Sequence, residues 1–372
     1  MNIISRTVPP LDDSRDRGGP AQPLLIARDL RKHFLLRGKG ALKGGARVHA
    51  VDGVSFSVGK GETLGVVGES GCGKSTLARL LMHLLPRDAG ELILDGDLVG
   101  RGGISVPAFR RQVQMVFQDS SASLNPRLPV RDSIAFGPRI QGRGRAEADR
   151  LAYQALRHVS LDPDLVGERY PHELSGGQKQ RVNIARALAI DPRMVILDEP
   201  VSALDKSVQA QVLNLLMQLR RDLGLTYIFI SHDLAVVRHI SQRVLVMYLG
   251  LVVEIGPAAA LFDAPMHPYT RALLASRPSM DPSRRIERQP VSGDPPNPVD
   301  LPPGCRFAPR CRFAEAVCTA AAPPLAAAAD ALSDAHQAAC FIHMPGSGHS
   351  LAGRGLPADD LTDGGLVEAG AA

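Results

Sequence analysis

Residues 68–76, Gly-Glu-Ser-Gly-Cys-Gly-Lys-Ser-Thr, constrain the fold of this chain more than any other stretch. They lie between an apolar run, residues 63–67, and a helical pattern that continues to Leu85. A strand, a glycine-rich turn and a helix that begins at the lysine form a P-loop. In such a loop the backbone N–H groups and the helix N-terminus point at phosphate oxygens. The alternative, a chance glycine-rich turn, does not explain the complete pattern in this context.

The P-loop predicts a site for a nucleoside triphosphate. The ammonium group of Lys74 is expected to reach the β- and γ-phosphates, and the hydroxyl of Ser75 is expected to bind Mg²⁺. The predicted nucleotide-binding residues of the loop are Gly68, Ser70, Gly71, Cys72, Gly73, Lys74, Ser75 and Thr76.

An acidic pair follows a second apolar run. Residues 194–197 read Met-Val-Ile-Leu between two prolines, which is typical of a central parallel strand, and Asp198 and Glu199 come directly after them. Two carboxylates at the end of a buried strand are costly unless they do chemistry. Asp198 is predicted to hold Mg²⁺, and Glu199 to polarise the attacking water. A surface turn also contains acidic pairs, but it does not explain one that ends a core strand.

Two further strand patterns end in polar side chains. Gln118 follows the run 112–117, and His232 follows the run 226–230. Because parallel strands end at the same edge of a sheet, Gln118 is predicted to point toward the phosphates. His232 is predicted to donate a hydrogen bond to the γ-phosphate. In isolation a solvated histidine explains His232 equally well, and only the shared edge favours the catalytic role.

Residues 174–178, Leu-Ser-Gly-Gly-Gln, precede a helical pattern that runs to Ile190. Ser175 is predicted to be the N-cap of that helix. The two glycines destabilise a helix start, so we interpret them as room for an anion to approach closely. The alternative is an ordinary capped helix.

Composition limits the class of protein. The chain has 372 residues and a hydrophobic share of 44%, which fits about two domains, or one large domain with an appendage. A net charge of +5 fits a soluble surface and equally an acidic membrane surface or polyanion as a partner. No apolar run approaches the roughly eighteen residues that a spanning helix needs. The N-terminus lacks an apolar signal core, so we expect the chain to stay in the cytosol. Five cysteines in a cytosolic protein are not expected to form structural disulfides.

The fold class predicted is α/β: a P-loop NTPase (RecA-like) core, an antiparallel β lobe and an inserted helical lobe. A small cysteine-containing C-terminal appendage follows. Phe34 lies on an early strand of the β lobe, where its ring either packs in the core or stacks on a purine. The predicted segments are a disordered lead (1–23), a P-loop NTPase domain (24–262, with the helical lobe at about 119–190), a C-terminal segment (263–345) and a disordered tail (346–372).

Taken in this order, these motifs resemble the ATP-binding subunit of an ABC transporter. The resemblance covers roughly residues 24–260 and includes the P-loop, Gln118, the signature at residues 174–178, the acidic pair, Ser202–Asp205 and His232. It implies ATP as the nucleotide and a head-to-tail pair of ATPase subunits. Each ATP would then lie between one P-loop and the partner's signature. The further residues that this implies at the nucleotide and Mg²⁺ site are Phe34 (on adenine), Gln118, Ser175, Gly177, Gln178 and Asp205.

The C-terminal third is similar to the oligopeptide/dipeptide branch of ABC importers. Residues 267–274, 293–298 and 304–307 carry this similarity, as do residues 123–127. The implied partners are two membrane permeases, a second ATPase subunit that is a copy or a paralogue, and indirectly an extracytoplasmic peptide-binding protein. The implied location is peripheral, on the cytoplasmic face of the inner membrane. Ser120 departs from the expected proline, and Lys206 from the usual apolar residue.

Four cysteines gather in this segment with the spacing C-x5-C-x6-C-x21-C: Cys305, Cys311, Cys318 and Cys340. The spacing matches neither common zinc ribbons nor usual ferredoxin runs. Since members of the branch carry an iron–sulfur cluster here, the resemblance implies a metal staple, preferably [4Fe-4S]. His336 and His343 flank Cys340 as substitute ligands. Four reduced thiols packed as small hydrophobes are the alternative.

Other functions remain open at this point. An importer ATPase for nickel or glutathione would share the same motifs. A non-transport ABC ATPase acting on nucleic acid or ribosomes usually carries two ATPase units in one chain, whereas this chain has one signature. An ATPase scaffold for iron–sulfur assembly would lack residues 267–274. We therefore expect ATP hydrolysis that drives peptide import, with no nucleic-acid partner.

Overall fold

The computed structural model describes residues 19–36, 46–100, 102–276, 297–327 and 335–357. The chain divides into two compact units, Met1–Leu251 and Val252–Ala372. The predicted disordered lead lies outside the described residues up to residue 18, and the predicted disordered tail does so from residue 358.

A parallel sheet forms the centre of the first unit. Within this unit its strands lie in the order β9-β3-β8-β7-β6, and every described pairing among them is parallel. All residues of β3, β7 and β8 are buried, which explains why these strands read as continuous apolar runs. The strands are β3 (Thr63–Val67), β6 (Val113–Val116), β7 (Met194–Asp198), β8 (Thr226–Ile230) and β9 (Arg243–Tyr248).

A second sheet is antiparallel and has the strand order β2-β1-β4-β5. The pairing of β1 with β2 is irregular: its register shifts between Leu30 and Arg31 and again between Lys32 and His33. This sheet is the predicted antiparallel lobe. Its strands are β1 (Leu25–Leu35), β2 (Arg47–Val58), β4 (Ala89–Leu94) and β5 (Asp97–Leu98).

Helices surround the parallel sheet or form the helical lobe. α1 begins at Lys74, as the P-loop pattern predicts. In the helical lobe α3 and α4 both pack against α6, and Ala148, Ala152 and Leu156 bury the inner face of α4. The helices of this unit are α1 (Lys74–Leu81), α2 (Val106–Gln112), α3 (Val130–Ile140), α4 (Arg145–His158), α5 (Pro163–Val166), α6 (Gly176–Leu188), α7 (Lys206–Leu223) and α8 (Leu234–Ile240), with a 3₁₀ turn at Pro171–Glu173.

The second unit holds short elements. They are β10 (Leu251–Pro257), α9 (Ala258–Asp263), α10 (Pro268–Ala275), a 3₁₀ turn (Ala308–Arg310), α11 (Ala316–Ala320), β11 (Ala326–Ala327), β12 (Gln337–Ala338) and a 3₁₀ turn (Phe341–His343). No helix within the described ranges has the length and apolar content needed to cross a bilayer.

A buried carboxylate organises this unit. Glu254 is fully buried, and its oxygens accept hydrogen bonds from the backbone N–H groups of Met266 (2.9 Å) and His267 (2.8 Å). His336 Nε2 lies 2.8 Å from the same carboxylate. Burial lowers the pKa of His267 to about 4, so its ring is neutral and Nδ1 accepts the N–H of Tyr269 at 3.0 Å. His267 is thereby the N-cap of α10.

Candidate active site

The P-loop adopts a conformation that only glycine tolerates at two of its positions. Gly68 and Gly73 have φ angles of 151° and 111°. A Cβ atom on Gly68 would lie 2.2 Å from the carbonyl oxygen of Met247, and one on Gly73 would lie 2.2 Å from that of Ala50. The loop is therefore held between β2 and β9, which fixes the direction of its N–H groups.

Lys74 lies inside the loop rather than in solvent. Its side chain is buried, and Nζ donates to the carbonyl oxygens of Gly68 (2.7 Å) and Glu69 (2.9 Å). The Sγ atom of Cys72 lies 3.7 Å from Nζ. The loop thus folds around a positive charge whose donors can be shared with phosphate oxygens.

Ser75 and Asp198 meet at the carboxyl end of the parallel sheet. The hydroxyl of Ser75 donates to Asp198 Oδ1 at 3.2 Å. Burial raises the pKa of the Asp198 carboxyl above its usual value, and neighbouring Glu199 raises it further, although the Ser75 hydrogen bond opposes both. A divalent cation beside these two oxygen ligands would compensate that burial, and hard cations such as Mg²⁺ prefer such ligands.

Glu199 is the meeting point of three chain segments. Gln118 donates through Nε2 to Glu199 Oε2 at 3.0 Å, and His232 Nδ1 lies 3.2 Å from the same oxygen. The structure therefore brings together the three polar residues that follow β6, β7 and β8. His232 remains 61% exposed, which leaves its ring accessible to a ligand.

The backbone at Glu199 is a feature that the sequence did not reveal. Its φ angle is +48°, in the left-handed region that side chains other than glycine seldom adopt. The N–H of Glu199 donates to the carbonyl of Ile230 at 2.9 Å, which holds this turn against β8. Strained residues of this kind are concentrated at functional sites.

The signature segment forms a capping box at the start of α6. Ser175 Oγ accepts from the N–H of Gln178 at 3.3 Å, and Gln178 Oε1 accepts from the N–H of Ser175 at 3.0 Å. A Cβ atom on Gly177 would lie 2.5 Å from Cγ1 of Val208 in α7, whereas one on Gly176 would only reach ordinary contact with Leu204 at 3.6 Å. Close packing against Val208 therefore favours glycine at position 177, in addition to the predicted close approach of an anion.

The remaining predicted residues lie at the edges of this group. Phe34 near the end of β1 is 38% exposed and is not a core residue; the Nζ atom of Lys32 lies 5.7 Å from its ring centre. Asp205 is the N-cap residue of α7 and makes no side-chain capping bond. Lys206, the departure from the family pattern, donates to Asp233 Oδ2 at 3.2 Å, and Asp233 caps α8. The local sequence around Lys206 or Asp233 does not predict that the two side chains form an ion pair.

The four C-terminal cysteines line one cavity, together with His267 and His349. Burial raises the pKa of three of these thiols: that of Cys305 lies above its usual value, that of Cys311 is about 11 and that of Cys340 is about 12. These three thiols are therefore protonated at neutral pH. Within the described ranges no three of the Sγ atoms lie within 4.8 Å of one another. A tetrahedral zinc ion would hold its sulfur ligands about 3.8 Å apart. The cysteines therefore share a cavity without forming a preassembled zinc site.

Comparison with known proteins agrees with this geometry. Residues 51–202 match the family described as ABC transporter, and residues 253–318 match the oligopeptide/dipeptide transporter C-terminal region. The chain is 48% identical over 324 residues to a probable peptide ABC transporter ATP-binding protein, y4tS, of Sinorhizobium fredii, covering 87% of this chain and 90% of the relative. The chain belongs to the ABC transporter ATP-binding proteins. ATP is therefore its nucleotide, and the predicted family is confirmed.

Another relative and two solved structures agree with the assignment to this family. The chain is 46% identical over 321 residues to the di/tripeptide transport ATP-binding protein DppF of Pseudomonas aeruginosa, covering 86% of this chain and 97% of that one. The structure of cbiO1 from Clostridium perfringens, part of the ABC transporter complex cbiONQ, matches with a TM-score of 0.56 and 27% identity over 65% of this chain and 91% of that chain. A dimeric ATP-binding cassette, MJ0796, in a post-hydrolysis state with ADP and Pi matches with a TM-score of 0.54 and 26% identity over 63% of this chain and 98% of that chain. The predicted α/β fold class is confirmed.

The two signature glycines should differ in their tolerance of a methyl group. Gly176→Ala meets only ordinary contact and improves helix propensity, so it should keep or raise stability by up to about 1 kcal/mol. Gly177→Ala drives Cβ into the stiff side chain of Val208 and should destabilise by about 1–3 kcal/mol. Thermal unfolding of the two full-length variants measures the difference. Equal melting temperatures would show that the close packing of α6 on α7 is not what demands glycine.

Proposed function

We propose that this ABC ATPase hydrolyses ATP to drive the import of di- and oligopeptides through partner permeases. The convergence of Gln118 and His232 on one oxygen of Glu199 carries the enzymatic part. The peptide part is supported by the two relatives named above and by the match to the oligopeptide/dipeptide C-terminal region. Nickel and glutathione importers would use the same site, because substrate choice rests with other subunits.

Glu199 is the proposed base. A carboxylate oxygen that is fixed by an amide and an imidazole can orient a water molecule and accept its proton as it attacks the γ-phosphate. Lys74 would neutralise charge on the β- and γ-phosphates when its donors pass from the loop carbonyls to the ligand. His232, which is largely exposed, would donate to the γ-phosphate. Phe34 would stack on the adenine with its accessible face.

Asp198, Ser75 and Gln118 are the proposed Mg²⁺ ligands. The buried Asp198 carboxyl and the Ser75 hydroxyl are already within hydrogen-bond distance of each other, which suits a small cation bound by oxygen ligands. Bound there, Mg²⁺ would neutralise the charge that develops on the phosphates. The cation would also keep Asp198 ionised despite its burial.

The proposed active unit is a pair of ATPase subunits. Ser175 and Gln178 bond to each other at the start of α6, and Gly177 packs beside Val208 of α7. Their proposed ligand, as the family resemblance implies, is the ATP of a second subunit. Asp205 would lie at the same seam. A head-to-tail pair places the uncovered N-terminus of α6 against the γ-phosphate, where the helix dipole favours an anion. ATP binding would close the pair and hydrolysis would reopen it, and the permeases would convert this movement into alternating access.

Replacing the proposed base separates binding from turnover. Glu199→Gln keeps the shape of the side chain but cannot accept a proton, so the ATPase rate should fall at least about a hundredfold. Nucleotide affinity should persist, and ATP should trap the variant as a dimer, alone or with a paralogous subunit. The measurements are phosphate release and size-exclusion chromatography with ATP.

Glu91→Gln is the matched control, since this exposed glutamate lies on the antiparallel sheet. It should hydrolyse ATP at the unaltered rate. Retained hydrolysis in Glu199→Gln would refute the assignment of the base. A variant that binds ATP but never associates would count against the paired site.

The helical lobe offers a surface for the permeases. Phe136 and Ile140 lie one turn apart on α3 and are 58% and 69% exposed, and Leu165 is 64% exposed. Phe117 and Tyr170 add partly exposed aromatic rings. Contiguous exposed apolar surface marks an interaction site, and Phe136 and Ile140 are neighbours on one face of α3. Because Phe117 adjoins Gln118, we propose that the permeases contact this lobe on the cytoplasmic face of the inner membrane and communicate there with the phosphate site.

A charge on this surface should uncouple transport from hydrolysis. Phe136→Asp should leave the ATPase rate of the isolated subunit within about twofold, because the ring packs in no core. Co-purification with the permeases of the same gene cluster should be lost, because the charge would be buried at the contact. Leu84→Asp, at an exposed leucine outside the lobe, should co-purify normally. Equal co-purification of both variants would place the contact elsewhere.

A [4Fe-4S] cluster is the proposed occupant of the cysteine cavity. Cys305, Cys311, Cys318 and Cys340 all line it, and their spacing is too wide for a single zinc ion. A cluster several ångströms across takes four cysteine ligands that are farther apart. Bound there, it would supply four metal–thiolate bonds that hold this small lobe together. Because burial raises the pKa of Cys305, Cys311 and Cys340, binding would release protons from these thiols.

Iron content tests this cluster. The full chain purified without oxygen should be coloured and contain about four iron atoms. Cys340→Ser should lose most of the iron and unfold at a lower temperature, whereas Cys72→Ser, in the P-loop, should retain the iron. A colourless wild-type protein without metal would contradict the cluster and favour four reduced thiols.

A further inference from the structure

Three side chains that the nucleotide site does not use converge on the antiparallel sheet. His33 Nε2 lies 3.0 Å from Asp52 Oδ1, and His49 Nδ1 lies 3.1 Å from Asp52 Oδ2. The two imidazole rings are 4.1 Å apart between centroids. One ligand atom from each residue lies within 4.8 Å of the other two, the only such group of three among the residues that the structure describes.

An irregularity in strand pairing creates this cluster. Lys32 pairs with Val51, but the next residue, His33, pairs with His49, so Ala50 is an extra residue on β2. In a regular strand His49 and Asp52 would point to opposite faces, because they are three positions apart. An inserted residue reverses that alternation and re-aims the side chains beyond it. The shift therefore turns both side chains toward His33.

The donor set is that of a transition-metal site. Imidazole nitrogens and a carboxylate oxygen are ligands for zinc and its neighbours, and three protein ligands leave a position for water. Around an ion with bonds of about 2.0–2.1 Å, neighbouring ligand atoms lie about 2.9–3.4 Å apart. His33 Nε2 lies 3.0 Å from Oδ1 and His49 Nδ1 lies 3.1 Å from Oδ2, so each imidazole is within that range of one carboxylate oxygen, and a single ligand atom from each of the three residues lies within 4.8 Å of the other two. All three side chains are only partly exposed, between 12% and 29%.

Arg31 is the competing partner of this carboxylate. Its Nη1 lies 3.3 Å from Asp52 Oδ1, so the cluster without metal is a hydrogen-bonded network. Nη2 of the same guanidinium is bound to Asp29 at 3.0 Å, which holds Arg31 to one side of Asp52. Arg31 contacts Oδ1, whereas His49 faces Oδ2.

We propose that His33, His49 and Asp52 bind one divalent transition-metal ion of the zinc class. The ion would replace the imidazole N–H bonds to the carboxylate and would join β1 to β2 at their irregular pairing. This site is separate from the Mg²⁺ site and from the cysteine cavity, and it does not depend on the proposed function.

The metal site contacts the nucleotide site through two short connections. Ala50, the extra residue beside His49, places its carbonyl oxygen against Gly73 of the P-loop. Phe34, the residue after His33, is the proposed adenine-stacking ring. An ion that fixes both strands would preorganise these contacts, and nucleotide affinity should then rise by about fivefold or more. This second step rests on the proposed role of Phe34.

Zinc titration of the full chain tests the site. Isothermal titration calorimetry after removal of metal with EDTA should show one more bound Zn²⁺ in the wild type than in His33→Asn or His49→Asn, or a loss of affinity of at least about tenfold. His239→Asn, at an exposed histidine on α8, should bind zinc like the wild type. Ions held by the cysteines contribute equally to all four proteins and cancel.

The metal-free variants should melt within a few degrees of the wild type, which shows that any lost binding is not lost folding. Equal zinc stoichiometry and affinity in the wild type and in both histidine variants would overturn the site.

Fluorescent-ADP binding with and without zinc then tests the coupling, which should appear in the wild type and vanish in His49→Asn. Unchanged affinity with zinc bound would refute the coupling. No nucleotide binding at all would count against the ATP site and not against the metal site.

Discussion

Opposite charges buried at the carboxyl edge of the parallel sheet are the constraint on which this structure depends. Lys74 and Asp198 are 6% and 4% exposed, and a buried charge is costly unless it is paired or hydrogen-bonded. Loop carbonyls satisfy the ammonium, and one serine hydroxyl satisfies part of the carboxylate. A triphosphate with its cation would complement both charges at once. The burial that destabilises these charges in the free protein therefore favours binding of the ligand.

Glu199 connects that edge to the rest of the first unit. Its carboxylate receives Gln118, which borders the helical lobe, and His232, which follows the strand packed beside β7. A change in the lobe, such as permease binding, would therefore reach the proposed base through one side chain. The cluster of His33, His49 and Asp52 offers a second route, from β1 and β2 through Ala50 to the P-loop. Both routes are short chains of direct contact, which is the physical requirement for coupling between sites.

The second unit buries polar side chains beside its apolar core. Glu254, His267 and His336 are buried together, and the hydrogen bonds to the carboxylate pin residues 266 and 267 against β10. His267 also caps α10, which explains why a helix begins at Pro268. The cysteine cavity lies in the same unit, and a cluster bound there would add the covalent restraint that so small a core lacks.

The sequence by itself determined the elements whose signals are local. The P-loop, the capping box at Ser175 and the apolar strands that end at Asp198 and His232 depend on neighbours within a few residues, so the α/β class and the convergence of the site were predictable. Tertiary structure decided the rest. The left-handed turn at Glu199, the contact of Gly177 with Val208 and the Lys206–Asp233 ion pair each join segments that are distant in the chain. His33, His49 and Asp52 meet only because one extra residue shifts the pairing of β1 with β2, and a register shift leaves no mark in the pattern of either strand alone.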